Sequence, residues 1–137
     1  MTDNVKKPHV LDSFALLAFL NREKGFEKVR ALLHAAESSS APLLMNEINL
    51  GEVYYIIAKV RSLQKAEEFL HRLETLPIQP RANAFSDVLE AAKMKAQFPI
   101  SYADACAIST ALRAHAVVVT GDPEFHAVAH LVEVLWL

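Results

Sequence analysis

Four acidic residues in apolar surroundings are the side chains of this sequence best suited to chemistry. They are Asp12 in PHVLDSFALL, Glu52 in NEINLGEVYYII, Asp104 in ISYADACAIS and Asp122 in VVVTGDPEF. A carboxylate in such a setting is costly to bury unless a positive charge meets it. Brought together, the four would form an oxygen-rich site for a hard divalent cation. We therefore predict metal-dependent phosphate chemistry.

Two of these acids precede or occupy helices, and each has a purely structural alternative. Asp12 could cap the helix that follows it, but Ser13 can fill that role, which would leave Asp12 free for another one. Glu52 shares a helix face with Tyr55 and Ile56 by its spacing, so we expect an apolar face around it. An arginine partner is the structural alternative for Glu52. A metal is the functional one.

The other two acids can also be explained by local structure. Ser101 and Asp104 have the spacing of a helix-capping box, with Asp in place of the usual Glu or Gln. Asp104 nevertheless aligns with Ala107 and Ile108, which we predict to face the core. Asp122 could be no more than a turn residue. Taken singly each structural reading is reasonable, but all four acids map to one end of one predicted sheet.

That sheet follows from strands that alternate with helices along the chain. Such alternation predicts an α/β fold with a mostly parallel five-stranded central sheet flanked by helices. In these folds ligands bind outside the carboxyl ends of the strands, where Asp12 and Asp122 fall. The predicted strands are residues 9–12, 42–45, 76–79, 116–120 and 132–135. The predicted helices are residues 14–23, 25–36, 46–60, 62–73, 85–97, 101–115 and 124–130.

Size and composition narrow the class of protein. The 137 residues predict a single domain, 1–137, large enough for a substantial core. The lone Cys106 allows no internal disulfide, and no apolar run reaches the roughly 20 residues needed to span a bilayer. No secretory signal is visible at the N-terminus, so we expect a cytoplasmic protein without a membrane partner. The net charge of −2 argues mildly against a nucleic-acid binder but permits a local basic patch.

Four segments resemble, in order, the four motifs of the PIN-domain ribonucleases, especially the VapC-type toxins: VLDSFALLAFL, NEINLGEVYYII, SYADACAISTAL and VVVTGDPEF. The resemblance spans essentially the whole chain and implies a small α/β domain with Mg²⁺ or Mn²⁺ at the carboxyl end of its sheet. By motif position it implies that Asp12, Glu52, Asp104 and Asp122 bind the metal. Thr120 matches a hydroxyl residue that can orient a ligand or a water.

The resemblance also implies an activity and partners. It implies hydrolysis of RNA within the strand to leave a 5′-phosphate, a homodimer, and silencing by a small antitoxin whose tail covers the site. A stand-alone PIN nuclease of RNA processing is the alternative. A non-catalytic RNA- or protein-binding domain is a third hypothesis. A receiver-like signalling domain fits poorly, since residues 76–81 lack a phosphoacceptor Asp and VVVTGD lacks a Lys.

The remaining polar residues suggest no second site. Glu47 lies about 140° around the helix from Glu52, so we place it outside the site. His126 and His130 have zinc-ligand spacing, but no third ligand is evident and we do not predict zinc. A basic cluster at residues 59–65 is read first as helix-dipole compensation, with phosphate contact as the alternative. No aromatic-rich segment is evident, so substrate choice is expected to depend on RNA shape.

Overall fold

The computed structural model describes residues 7–38 and 41–137. Five strands alternate with six α-helices and one 3₁₀ helix, Pro123–Val128. The strands are β1 His9–Leu11, β2 Leu43–Asn46, β3 Gln79–Arg81, β4 Val117–Thr120 and β5 Val134–Trp136. The helices are α1 Ser13–Leu20, α2 Phe26–Ser38, α3 Glu47–Val60, α4 Leu63–Leu73, α5 Phe85–Gln97 and α6 Tyr102–Ala114.

The five strands form one sheet in the order β3-β2-β1-β4-β5, and every neighbouring pair is parallel. The prediction of an α/β fold with a five-stranded sheet flanked by helices is confirmed. β1 and β4 are neighbours in the middle of the sheet, with Leu11 paired to Val119. Because both strands run the same way, the residues that follow them meet at one edge.

Alternating strand residues fill a separate core on each face of the sheet. Val10, Leu44 and Val118 pack with α6 on one face, and Leu11 and Val119 pack with α1 and α3 on the other. Successive side chains of a strand point to opposite faces, so strands buried on both sides are apolar throughout. All four residues of β4 are buried. The helices that carry the acidic residues are thereby fixed against a rigid sheet.

Polar side chains begin the helices that leave the carboxyl edge. Asn46 caps α3 by accepting the N–H of Ile48 at 2.8 Å. Ser101 caps α6 by accepting the N–H of Asp104 at 3.0 Å, as predicted. These caps satisfy backbone donors that would otherwise lack partners in the first turn. They also fix where each acidic side chain leaves its helix.

The predicted cap of α1 was wrong. Asp12, rather than Ser13, is the N-cap, and its Oδ1 accepts the N–H of Ala15 at 2.8 Å. Ser13 is the first helical residue, and its hydroxyl donates to Glu52 Oε1 at 2.5 Å. Either residue type can cap a helix, and the sequence alone does not reveal the competing partner on α3.

Several other boundaries differ from the prediction by one to three residues. β3 begins at Gln79 rather than at residue 76, and Pro80 lies inside it, which an edge strand tolerates because one side needs no N–H donor. β5 begins two residues later than expected, at Val134. The segment after Asp122 is a 3₁₀ helix that ends at Val128. None of these shifts moves an acidic residue away from the carboxyl edge.

Across residues 7–38 and 41–137, no helix is both long enough and apolar enough to cross a bilayer. The N-terminal segment 1–6, on which the expectation of no secretory signal partly rests, lies outside the described residues. The extent of the domain, 1–137, stays a prediction.

Candidate metal centre

Asp12 and Asp122 are joined through Thr120 at the ends of the two central strands. The Thr120 hydroxyl donates to Asp12 Oδ2 at 2.5 Å and accepts the backbone N–H of Asp122 at 2.9 Å. Thr120 is fully buried and Asp12 is only 1% exposed. The threonine therefore holds two acidic residues in a fixed relation, because its hydroxyl acts as a donor to one and as an acceptor from the other.

Asp104 approaches the same place from the first turn of α6. It is 5% exposed, and its Oδ2 has no hydrogen-bond partner. Ala107 and Ile108 on the same helix are fully buried, as predicted, so Asp104 lies at the margin of the core. A buried carboxylate oxygen without a partner is costly, because it loses water and gains nothing in return. Such an oxygen is well suited to a cation.

A third carboxylate, Glu124, joins Asp104 and Asp122. One ligand oxygen from each of the three lies within 4.8 Å of the others. Asp104 is buried, Asp122 is intermediate and Glu124 is exposed. A group that is buried at one end and open at the other can take an ion from solvent. The donor set is all oxygen, which suits Mg²⁺ or Mn²⁺ rather than a thiolate-preferring metal.

Glu124 also fixes the start of α6. Its Oε1 accepts the backbone N–H of Ser101 at 3.0 Å. In the capping box expected from the sequence, Asp104 would have accepted that N–H. The structure gives this role to Glu124, from a segment 23 residues away, and so leaves the side chain of Asp104 free. The box is therefore only half formed by Ser101 and Asp104 themselves.

Glu52 reaches the start of α1 from α3. Its Oε1 accepts from Ser13 at 2.5 Å, and its Oε2 makes a long 3.5 Å contact with the Tyr55 hydroxyl. Glu52 is partly buried, and its charge contributes to the raised pKa of Asp12. The helix face around Glu52 is apolar, as expected, but it is half exposed, since Ile48 is 50% and Tyr55 54% exposed. The carboxyl group thus faces a half-open surface.

Burial and mutual repulsion raise the pKa of two of the acids. Burial raises the pKa of Asp12 to about 7, with smaller contributions from the charges of Asp122 and Glu52. The hydrogen bonds from Thr120 and Ala15 oppose this shift. The cluster therefore resists full ionisation near neutral pH, and a cation would remove that penalty.

The pKa of Asp104 is raised further, to about 8. Burial is the main cause, followed by the nearby carboxyl group of Glu124, which favours the protonated form, and by repulsion from Asp122 and Asp12. This carboxyl therefore retains its proton near neutral pH in the absence of a cation. A divalent ion and protons must compete for the same oxygens.

The sequence of residues 9–131 matches the family model described as PIN domain. The chain belongs to the PIN domain family. The resemblance seen in the four sequence motifs is confirmed, since the match covers most of the chain. Comparison with curated proteins gives no match.

Solved structures of VapBC proteins share the PIN fold with this chain. VapBC2 of Rickettsia felis, bound to promoter DNA, superposes with a TM-score of 0.72 at 14% identity, covering 93% of this chain and 96% of that one. VapC20 of Mycobacterium tuberculosis, described as a sarcin–ricin-loop-cleaving toxin, superposes with a TM-score of 0.70 at 12% identity. The match covers 88% of this chain and 94% of VapC20. FitAcB of Neisseria gonorrhoeae superposes with a TM-score of 0.60 at 21% identity, covering 93% of this chain and 96% of that one. At these identities the likeness establishes the shared fold.

Two polar residues at this edge of the PIN domain were not singled out by sequence reasoning. Glu124 follows Asp122 by two positions at a strand end, and that spacing of acids was the available signal. Asn49 on α3 is fully buried and donates to the Ala103 carbonyl at 3.0 Å, beside Asp104. Its Oδ1 has no partner. No pattern in the sequence distinguishes Asn49 from an ordinary exposed helix asparagine.

The structure also shows the surroundings of three residues that the sequence analysis placed outside the site. Glu47 is exposed in the first turn of α3. The His126 ring stacks on Trp136 at 4.2 Å, while the His130 ring packs edge-on against Phe98. The two histidines therefore contact different aromatic rings, and the absence of a zinc site stays a prediction.

The basic residues between α3 and α4 lie at the other end of the helices. Arg61 and Lys65 line a cavity of about 220 Å³ together with Arg72, next to the C-terminal end of α1. Lys65 pairs with Glu68 at 3.4 Å. Seven residues of α1 separate this end from Ser13, which is about 10 Å along the axis. These cations do not neutralise the acidic cluster.

Proposed function

We propose that this PIN domain is a divalent-cation-dependent endoribonuclease, acting in the cytoplasm as the toxin of a toxin–antitoxin pair. One observation carries the proposal: the buried, unpartnered Oδ2 of Asp104 lies in a carboxylate group with Asp122 and Glu124. Phosphodiester hydrolysis needs positive charge at such a place. The VapBC likeness of the fold supports the assignment to RNA and to the toxin class.

The proposed ligands are Asp104, Asp122 and Asp12, with Glu124 added to the predicted set. When bound, Mg²⁺ or Mn²⁺ supplies positive charge against the charge that develops on the phosphate and eases deprotonation of the attacking water. The carboxyl group of Asp12 is held in place by hydrogen bonds from the hydroxyl of Thr120 and the N–H of Ala15. We assign Thr120 a positioning role, because its buried hydroxyl is committed to Asp12 and Asp122.

Glu52 has a separate role in the proposal. Its contact with Ser13 ties α3 to the start of α1, and its negative charge helps to raise the pKa of Asp12. A carboxylate there, partly open to solvent, can accept a proton from water or bind the cation on a second side. Glu52 therefore stays in the proposed site, at its margin.

The test is cleavage of a pool of single-stranded RNA with Mg²⁺, with Mn²⁺ and with EDTA. We expect cleavage with either metal, 5′-phosphate ends on the products, and no cleavage in EDTA or by Asp104→Asn. Glu47→Gln is the matched control, because Glu47 is an exposed acid in the first turn of α3. Cleavage that persists in EDTA or in Asp104→Asn would contradict the proposal.

The toxin assignment is tested separately from the chemistry. VapBC2 of R. felis and VapBC of Salmonella typhimurium were solved bound to DNA, and VapBC-1 of Haemophilus influenzae is a further relative in fold. By analogy we expect a homodimer and a small antitoxin partner encoded next to this gene. Co-expression of that neighbour should suppress RNA cleavage. An active nuclease without such a neighbour would favour the stand-alone PIN nuclease of RNA processing.

A further inference from the structure

A cavity of about 480 Å³ lies on the α6 face of the sheet and is separate from the metal centre. Its polar lining comes from β3, α5 and α6, and consists of Arg81, Asp87, Thr110 and Arg113. None of the acids of the metal centre lines it. Arg113 follows Asp104 by nine residues on α6, which is about 14 Å along the helix axis. We call this space the arginine cavity.

Arg81, the last residue of β3, presents an unpaired guanidinium to the cavity. It lies two residues after Gln79, which pairs with Leu44 of β2, so the side chain of Arg81 points to the face on which Leu44 packs. Across residues 7–38 and 41–137, no ion pair or hydrogen bond involves this guanidinium. Its positive charge and its N–H donors are therefore open to a ligand.

The guanidinium of Arg113 is held in place by two neighbours. Its Nη1 donates to the hydroxyl of Ser109 at 2.9 Å, and its Nε lies 3.5 Å from Oδ1 of Asp87. Neither contact uses Nη2, which has two N–H donors of its own. A guanidinium that is already fixed in position loses little conformational entropy when it binds a ligand.

The cavity has an excess of positive charge. Among the described residues that line it, Asp87 is the only acid, against the two guanidinium groups. Oδ2 of Asp87 accepts the backbone N–H of Ala84 at 2.9 Å, at the start of α5, and its Oδ1 faces Arg113. The carboxylate is thus committed to the helix start and to Arg113. The charge of Arg81 is left for an anion to meet.

The donors favour a phosphate group as that anion. The planar fork of an arginine matches two oxygens of a phosphate, and a phosphate has enough oxygens to contact two arginines at once. The rest of the lining is largely apolar and includes Pro8, Pro42, Leu44 and Ala114. It can contact the uncharged part of a ligand. A volume of about 480 Å³ lies in the range of sites for small molecules.

We propose that the arginine cavity binds the phosphate group of a small phosphorylated molecule between Arg81 and Arg113. The proposal concerns binding and involves no covalent step. It is independent of the proposed nuclease function, because the cavity shares no residue with the metal centre. A bound phosphate would connect the end of β3 to the C-terminal part of α6.

The experiment follows backbone amide signals by NMR while inorganic phosphate or adenosine monophosphate is added. The buffer is free of divalent metal, and NaCl keeps the ionic strength constant, since screening alone alters weak ionic binding. We expect saturable shifts at Ala82, Thr110 and Ala114, which line the cavity. Adenosine, which has no phosphate, should bind far more weakly than adenosine monophosphate.

Variants of the two arginines test their roles. Arg81→Gln and Arg113→Gln should each weaken binding of adenosine monophosphate on the order of 10- to 100-fold, the usual cost of losing a hydrogen bond to a charged group. Arg81→Lys keeps the charge without the fork and should lose less. Arg81→Gln should keep the Tm of the wild type, because Arg81 has no partner to lose. It therefore carries the test if Arg113→Gln does not fold.

Two arginines outside the cavity provide matched controls. Arg30 is exposed on α2 and pairs with Glu27 at 3.1 Å, and Arg61 lines the other basic cavity. Arg30→Gln and Arg61→Gln each remove one positive charge, as the test variants do. Both should bind adenosine monophosphate within about twofold of the wild type.

Three results would overturn the proposal. The first is affinity in Arg81→Gln and Arg113→Gln equal to that of the wild type. The second is the absence of saturable shifts at these amides up to about 20 mM of either probe, which is weaker than specific sites usually bind. The third is a short RNA without terminal phosphates that shifts the same amides more strongly than adenosine monophosphate, which would assign the cavity to an RNA backbone. None of these results alters the test of the metal centre.

Discussion

The hydroxyl of Thr120 donates a 2.5 Å hydrogen bond to Oδ2 of Asp12, two residues that lie 108 positions apart in the sequence. The parallel pairing of β1 with β4 brings them together, since Leu11 lies opposite Val119 in that register. The same hydroxyl accepts the N–H of Asp122. One buried threonine therefore sets the relation between two acids of the metal centre.

Replacing Thr120 with valine should weaken metal binding without removing a ligand. Thr120→Val keeps the shape of the side chain but leaves Asp12 Oδ2 and the N–H of Asp122 without their partner. Mn²⁺ affinity should fall about 10- to 100-fold, as is common when a group that orients a ligand is lost. Calorimetry on Thr120→Val and on the hydroxyl-retaining Thr120→Ser checks this. Equal affinity in Thr120→Val and wild type would show that the hydroxyl does not position the acids.

Two substitutions at Glu124 should separate its two roles. Glu124→Gln removes the charge but keeps an oxygen that can accept the Ser101 N–H, so Mn²⁺ affinity should fall on the order of tenfold with little change in stability. Glu124→Ala removes both the charge and the oxygen that accepts the Ser101 N–H. It should therefore also lower the free energy of unfolding by about 1 kcal/mol through the lost cap of α6. Calorimetry and thermal unfolding measure the two effects. Unchanged Mn²⁺ binding in both variants would reduce Glu124 to a capping residue.

The metal-free protein should become less stable as pH rises from about 4 to about 8. The pKa values of Asp12 and Asp104 are raised in the fold to about 7 and about 8, against an ordinary value of 3.8. Between these limits the folded state binds more protons than the unfolded state, so stability falls with pH and then levels off. Mn²⁺ should stabilise the protein more at pH 8 than at pH 5, because it replaces those protons.

Asp104→Asn isolates this effect from other titrating groups. Burial lowers the pKa of His9, which acts in the opposite direction by stabilising the protein as pH rises through that range. The difference in Tm between wild type and Asp104→Asn removes the contribution of His9. Without metal, the variant should melt higher than the wild type at pH 8 and close to it at pH 4. If the Tm of the wild type instead rose above that of Asp104→Asn as pH increases, ionisation of Asp104 would not destabilise the fold.

A methyl group at residue 121 should displace the ring of Phe14. The added Cβ of Gly121→Ala would overlap the far end of a half-exposed ring, which can swing outward. RNA cleavage should fall, because Gly121 separates Thr120 from Asp122, and Gly121→Ala combined with Phe14→Leu should cost little more than one change alone, which is the signature of coupling. Gly51→Ala is the control, because its added Cβ meets nothing within 4 Å on α3. Additive losses in the double variant would contradict the contact.

Much of the fold could be predicted from patterns that are local in sequence. A few adjacent residues determine strand β4, the start of α3 after Asn46 and the end of α5 at Gln97. Parallel pairing at one edge then places Asp12 and Asp122 together without further information. The predicted motif positions of the PIN domain follow from the same local patterns.

The parts that could not be predicted depend on contacts between distant segments. The cap of α6 includes Glu124, 23 residues away, and this contact frees Asp104 from the box that the sequence suggests. Ser13 bonds to Glu52 on α3, which leaves the capping of α1 to Asp12. Local patterns contain no information about which of two suitable partners a side chain meets.

The most direct test of the metal centre is calorimetric titration of Mn²⁺ into the wild type, Asp104→Asn and Asp122→Asn at pH 8. Glu47→Gln, which alters an acid outside the cluster, is the control. We predict that the wild type and Glu47→Gln bind Mn²⁺ with the same affinity, and that both aspartate variants lose measurable binding. Aspartate variants that bind Mn²⁺ as tightly as the wild type would show that Asp104 and Asp122 are structural, and the proposed nuclease would lose its mechanism.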